Sequence, residues 1–375
     1  MRIKKELLFG AFMVILLLNI GFVTYSLHPA RNAAAVQNVS LESEKLASIT
    51  VSGHLCGVQV IEDIAYIGDH TYGLKIYNVS NPTLPILLGE TYDPGIYHGL
   101  HIEGSRAYLA DLEDGLVIYD VNDLSNPTRL GAYDVGEQNA AEVQAVGNIV
   151  YLAEFNEGLE IFDVSDPSTP TPIGEYSDYE SAYNVQVIGV IAYLTAGMNG
   201  LLILDVSDPT HPILMGNYID GEVVRYFYVE DSIAYVTCWD DGFKIIDVRD
   251  PTRPELLGEY GDVDVTIGVF KSGNLAFVGE WHDGLAIFDV SDPTRPQLLE
   301  KYTDDGGVSS IFAEDDLVYV ATTGTILSIL KIEQNGSTSS SESAGLYFLF
   351  AILALALLIM RNSKKSMLLP KVNTL

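Results

Sequence analysis

The stretch GLAIFDVSDPTRPQLLEKY, Gly284 to Tyr302, decides the fold because it recurs along the chain. Gly73, Gly115, Gly158, Gly200 and Gly242 open the same motif, and the successive spacings are 42, 43, 42, 42 and 42 residues. A fixed period of this size marks an array of one supersecondary unit whose copies bury their apolar faces against each other. Upstream of the glycine an aromatic recurs at Tyr66, Tyr108, Tyr151, Tyr193, Tyr235, Phe277 and Tyr319, which makes seven units. In the seventh the glycine segment has become TILSILKIE from Thr325.

Each unit holds four short apolar segments rich in Val, Ile, Leu and Tyr, with no helical period, so each reads as four strands. Four strands in about 40 residues is the size of a propeller blade. Asp-Gly pairs at Asp114-Gly115, Asp241-Gly242 and Asp283-Gly284 suit the positive-φ turn between second and third strands. The SDP stretches at Ser165, Ser207 and Ser291 end the third strand with side chains that bond nearby backbone, then with a proline. Both signals are structural rather than catalytic or metal-binding. The seventh unit lacks a fourth strand, and the segment from Glu44 to Val51 supplies it: Leu46, Ala47 and Ile49 stand before Tyr66 as Leu257, Gly258 and Tyr260 stand before Phe277. The expectation is an all-β, single seven-bladed β-propeller over residues 44–332, its last blade closed by the N-terminal strand.

Apolar segments flank the repeat. Residues 1–35 read as a signal peptide or, uncleaved, a signal anchor: Arg2, Lys4 and Lys5 precede a run from Leu7 to Val23. Residues 333–343 read as a Ser-rich stalk, 344–360 as a transmembrane helix for the ~30 Å hydrocarbon core, and 361–375 as a basic cytoplasmic tail. The expected location is the cell membrane, with a single C-terminal anchor and an extracytoplasmic propeller. Eight of the 20 Lys and Arg and one acid, Glu6, lie outside residues 36–343, which leaves twelve basic against fifty acidic side chains, a net of −38. Such a body repels phosphate backbones, so nucleic acid is not an expected partner; an extracellular protein or glycan is. The two cysteines, Cys56 and Cys238, occupy different positions of their units and do not read as a disulfide.

GLKIYNVSNP from Gly73, GLEIFDVSDP from Gly158, GLLILDVSDP from Gly200 and GLAIFDVSDP from Gly284 resemble the LVIVD repeat of prokaryotic surface and secreted proteins. The resemblance implies a β-propeller at the cell surface. It brings no common catalytic residues, so it identifies a scaffold.

Repeat register also nominates functional positions. Three residues after the second-strand aromatic stand Asp69, Asp111, Glu154, Ala196, Cys238, Glu280 and Thr322. The four acids at one level suggest part of a ring for a hard cation such as calcium. One position on, Trp239 and Trp281 occupy equivalent sites in neighbouring blades, as a platform for a sugar or partner side chain or as loop residues folded back on the adjacent blade. Where the first strand begins, His98, Glu142, Tyr183, Asn184, Arg225 and Tyr226 place polar groups near the channel mouth. A salt bridge with Glu142 or another channel acid, fixing neighbouring blades, is the structural expectation for Arg225. No Ser-His-Asp order, HExxH, CxxC or phosphate-cradling loop occurs. A binding or adhesion module is therefore the leading expectation, and a hydrolase or lyase at the channel mouth, metal-assisted, is the alternative. Trp239, Trp281, Glu280 and Arg225 are expected to form one contiguous site.

Overall fold

The computed structural model describes residues 40–335 except positions 52, 71, 72, 94, 137, 138, 180, 220, 240, 241, 262, 264 and 304. The expected signal segment, membrane helix and tail, and the expected stalk beyond Asn335, lie outside the described residues. Among the described residues no helix is long and apolar enough to cross a membrane.

Twenty-eight strands form seven separate four-stranded antiparallel sheets. In six of them the strands follow chain order from the inside out; the first blade runs Leu55–Ile61, Ile64–Asp69, Gly73–Asn78 and Ile86–Glu90. The inner strands adjoin one another in a closed circle, and that of the last blade, Val308–Glu314, lies beside that of the first. The fold is thus the expected seven-bladed propeller.

The second and third strands of each blade are buried on both faces, whereas fourth strands such as Ile86–Glu90 are largely exposed. This follows from radial packing, in which a middle strand is sandwiched between two neighbouring sheets and must be apolar throughout. The core is accordingly divided into seven apolar slabs, one between each pair of blades. The slab across the closure combines Val58, Val60 and Ile67 of the first blade with Tyr319, Leu327 and Ile329 of the last. Full burial of side chains of this size contributes about 1.5–3 kcal/mol each.

The seventh blade is closed by Ser40–Thr50, which pairs antiparallel with Ile326–Asn335. The match with Leu257 extends to the irregularity of the strand. Leu46 is the unpaired residue of a β-bulge in the closing strand, just as Leu257 is in the fourth strand of the fifth blade. The pair also extends past residues 44 and 332, to Ser40 and Asn335.

Two glycines show why the repeat is spelled as it is. Gly284 has φ +89°, and a Cβ there would lie 2.2 Å from the Tyr302 carbonyl oxygen, so only glycine makes the turn into the third strand. Gly174 belongs to the fourth strand, and a Cβ there would lie 2.1 Å from the Pro209 carbonyl oxygen, in the SDP turn of the next blade. The seventh unit has no such turn, and Glu300 takes the corresponding place in the sixth blade, accepting a hydrogen bond from Ser43 Oγ of the closing strand at 2.5 Å. The SDP turns behave as local backbone caps: Asp163 Oδ1 accepts from Ser165 N at 2.8 Å and from Ser165 Oγ at 2.6 Å.

Candidate ligand site at the channel mouth

Each inner strand is the edge of its sheet, and its outward N–H and C=O groups have no fifth strand to pair with. The channel wall supplies partners from the next blade. Gln144 Oε1 accepts from Val187 N at 2.5 Å while its Nε2 donates to Val187 O at 3.2 Å. Gln186 does the same to Val229 at 2.7 and 3.0 Å, and Gln59 to Ile102 at 2.8 and 3.5 Å. His101 holds the equivalent place and bonds to the Ala145 backbone. In the last three blades this position is aromatic: Tyr228, Phe270 and Phe312 follow one another at centroid spacings of 4.6 and 5.2 Å. One half of the channel is therefore fastened by hydrogen bonds and the other by ring contacts. The cavity inside has a volume of about 320 Å³ and is lined from all seven inner strands.

Nearer the mouth, six inner strands carry a bulge; its unpaired residue is Cys56, His98, Ala141, Arg225, Ile267 or Ser309. A bulge bends the strand and re-aims its side chains. The result is an arc of rings around the mouth. His54 and His70 lie 6.0 Å apart, His70 and His98 6.1 Å, His98 and Phe155 5.4 Å, and Phe155 and Tyr183 5.5 Å. Arg225 continues the arc, its guanidinium 5.0 Å from the Tyr183 ring centroid and 3.9 Å from that of Trp239. Burial, and secondarily the charge of His70, lowers His98 to about 4, so its ring is neutral at neutral pH.

Below the arc, Glu142 sits against the backbone of the second blade: a Cβ on Gly99 would lie 2.4 Å from its Oε1. Its carboxyl is pushed up to about 8 by burial, which outweighs hydrogen bonds from the Val143 and Leu100 backbone. Burial first and the charge of Glu142 second raise the Cys56 thiol, and the same two causes push Tyr226 up to about 12. A thiol held in its protonated form is the reverse of an activated nucleophile. No disulfide joins Cys56 and Cys238.

The expected salt bridge between Arg225 and Glu142 is replaced by stacking on two rings, because the bulge turns Arg225 toward Trp239 and Tyr183. Trp239 and Trp281 do hold equivalent backbone positions, bonding to Val223 O and Val265 O at 3.0 and 2.8 Å. They differ in surroundings: Trp239 is half-buried on Arg225, Trp281 is 46% exposed, and no ring contact joins them. Glu280 is not part of this group. It is fully buried, with Lys301 Nζ of its own blade 3.0 Å away.

Three of the acids at one level of the repeat, Asp111, Glu154 and Glu280, are likewise engaged within their own blades. Each closes its second strand opposite the motif glycine, and all four are buried. Asp111 Oδ1 accepts from Ile96 N and Glu113 N at 3.2 and 2.9 Å. Glu154 Oε2 accepts from Asn139 Nδ2 at 2.6 Å. Among the described residues no group of three or more His, Cys, Asp or Glu is placed to hold a metal ion, so Asp69, Asp111, Glu154 and Glu280 do not converge on calcium. Equal register put them at one height, but their side chains pack inside separate sheets.

Sequence reasoning placed Tyr183 and Arg225 together near the mouth but did not bring Phe155 to them, and it missed the glutamine staples. For the staples a signal existed: Gln59, Gln144 and Gln186 share one register position with His101.

The comparisons agree with this architecture. The sequence matches the LVIVD repeat over residues 52–93, 94–135, 138–178, 181–220, 228–262 and 266–304. A solved structure of the computationally designed Ika8 protein is similar at 11% identity and a TM-score of 0.58, over 76% of this chain and 98% of that one, a likeness of fold alone. No curated protein matches the chain.

Proposed function

Because the chain belongs to the LVIVD-repeat family, whose unit supplies a scaffold, we propose that it is a ligand-binding propeller that works through its channel mouth. The observation that carries this reading is the continuous arc from His54 to Trp239 above a cavity of about 320 Å³. A concave site walled by aromatic groups with a few placed polar side chains has the make-up of ligand pockets. The flanking apolar segments, Leu7–Val23 and Ala344–Met360, support display outside the cytoplasm from a C-terminal membrane anchor, where an extracellular protein or glycan is within reach. The acidic body favours neutral or cationic molecules over polyanions.

The test is a screen of the purified full-length protein against glycans, surface proteins and small metabolites, with and without calcium, read by the fluorescence of its two tryptophans and by calorimetry. A ligand whose binding is lost in Tyr183→Ala at unchanged melting temperature supports the reading. Ligands that bind equally well to Tyr183→Ala and Trp239→Ala would place function on another face and overturn it.

A further inference from the structure

Arg225 differs from the three arginines of this propeller that pair with acids, while Arg106 donates to a backbone carbonyl, Val164 O, at 3.2 Å. Arg129 pairs with Asp93 and Asp114 at 3.0 and 2.8 Å, Arg253 with Glu255 at 3.1 Å, and Arg249 with Asp247. In a body with fifty acidic side chains, a cation that reaches the channel would be expected to find one. Arg225 has none among the described residues: its Nε is buried with no hydrogen-bond acceptor, although the residue as a whole is only half-buried.

Its surroundings fix the plane while leaving the edge unused. Trp239 covers the guanidinium at 3.9 Å and Tyr183 lies at 5.0 Å. The Arg225 backbone is itself held, its carbonyl accepting from Thr195 Oγ1 at 2.7 Å. A guanidinium clamped through its faces offers its in-plane N–H fork, the geometry that matches a carboxylate bidentately. We infer that Arg225 receives the carboxylate of a small aryl monocarboxylic acid whose ring enters the channel beside Tyr183 and Phe155.

The remaining features choose among acids. Only one carboxylate is accommodated, because the net charge of −38 opposes the approach of multiply charged anions and a lone cation answers one charge. The ring follows from the edge-on pair Phe155 and Tyr183, 5.5 Å apart, which with Asn184 lines the cavity under the mouth. Size follows from the cavity of about 320 Å³, which holds a small molecule and no macromolecule.

This inference rests on the channel mouth being the binding face, and its test separates the two. Phenylacetate and phenylacetamide are titrated into the full-length protein, followed by calorimetry and by tryptophan fluorescence, since Trp239 lies on the guanidinium. Phenylacetate should bind at least about tenfold more tightly than the amide. Arg225→Gln should lose about tenfold or more for the acid and little for the amide, and Arg225→Lys, with charge but no fork, should fall between. Equal affinity for acid and amide in the unaltered protein overturns the proposal without any variant, as does the absence of heat and fluorescence change with phenylacetate. Phenylacetate bound as tightly by Arg225→Gln as by the unaltered protein, yet lost in Tyr183→Ala, would remove the carboxylate contact and leave the binding function standing.

Discussion

The guanidinium of Arg225 lies 3.9 Å from the centre of the Trp239 ring, so of two tryptophans in equivalent repeat positions only one is part of the channel mouth. A cation on an indole face is stabilised by about 0.5–2 kcal/mol according to its desolvation. Trp239 thus serves both the shape of the mouth and the local fold, whereas Trp281 presents its ring to solvent.

Trp239→Ala and Trp281→Ala should therefore separate. The first removes a half-buried ring and the clamp on Arg225 and should cost about 2 kcal/mol of stability, with ligand affinity reduced in parallel. The second should leave the denaturation midpoint within about 0.5 kcal/mol. Chemical denaturation of both variants checks this, and equal losses would show that the two rings do equivalent structural work.

Gln144→Ala tests the channel staples. The substitution leaves Val187 N–H and C=O without their side-chain partners in the wall, and each buried unsatisfied group costs about 1–3 kcal/mol. A loss of about 2 kcal/mol is expected, together with faster hydrogen exchange at Val187 and no change at Ile102, which is held by Gln59. Exchange at Val187 that stays as slow as before would mean that channel water replaces the staple completely.

The repeat period, the motif glycine, the aromatic of the second strand and the source of the closing strand were all legible, because each is a local requirement repeated seven or six times. The bulge at Leu46 was not legible, since the matching one at Leu257 is visible only in the strand pairing. The site was less legible because repeat register gives height along the blade but not direction. Glu280 and Trp281 are adjacent in sequence, yet the first turns into its sheet toward Lys301 and the second out to solvent. Arg225 was singled out for being basic in an acidic chain, but its partners depend on a bulge that only pairing reveals.

Glu154 predicts an unusual pH dependence. Burial raises its carboxyl first, and the neighbouring carboxyl groups of Glu160, Glu157 and Glu175 raise it further. Glu160 faces Glu175 across the strand pair, where the first and fifth blades carry Lys75 and Lys244 in the place of Glu160. A carboxyl whose folded pKa lies above its unfolded value, about 4.3, binds more protons in the folded state. Its contribution is thus fully present below that value and declines as pH rises through the folded pKa, and Glu142, raised to about 8, adds the same slope. A tenfold change in proton affinity corresponds to about 1.4 kcal/mol, so Glu154→Gln should gain about 1 kcal/mol or more at pH 9 relative to pH 5. Denaturation curves across that range decide it; a flat profile in the unaltered protein would show that both carboxylates ionise without cost.

The closing strand carries the opposite pH sign. Asp305 accepts from Lys45 Nζ at 2.6 Å, from the Tyr302 phenolic Oη at 2.8 Å and from Ser328 Oγ at 2.6 Å, so one carboxylate ties the N-terminal strand to the sixth and seventh blades. Burial alone would raise it, but the hydrogen bonds from Lys45, Ser328 and Tyr302 outweigh burial and hold it below the ordinary carboxylate range. Its contribution is therefore present above the unfolded value, about 3.9, and is lost as pH falls through the folded pKa. Lys45 is partly exposed, so Lys45→Ala should cost only about 1 kcal/mol at neutral pH, and the variant should converge with the unaltered protein in strong acid. Deleting residues 40–50 should be far more severe, because it strips the backbone partners of Ile326–Asn335 and opens the slab that Ile49 covers. Thermal melting compares the two: a large drop on deletion with a small one for Lys45→Ala is expected, and an unchanged melting temperature after deletion would show that the ring closes without this strand.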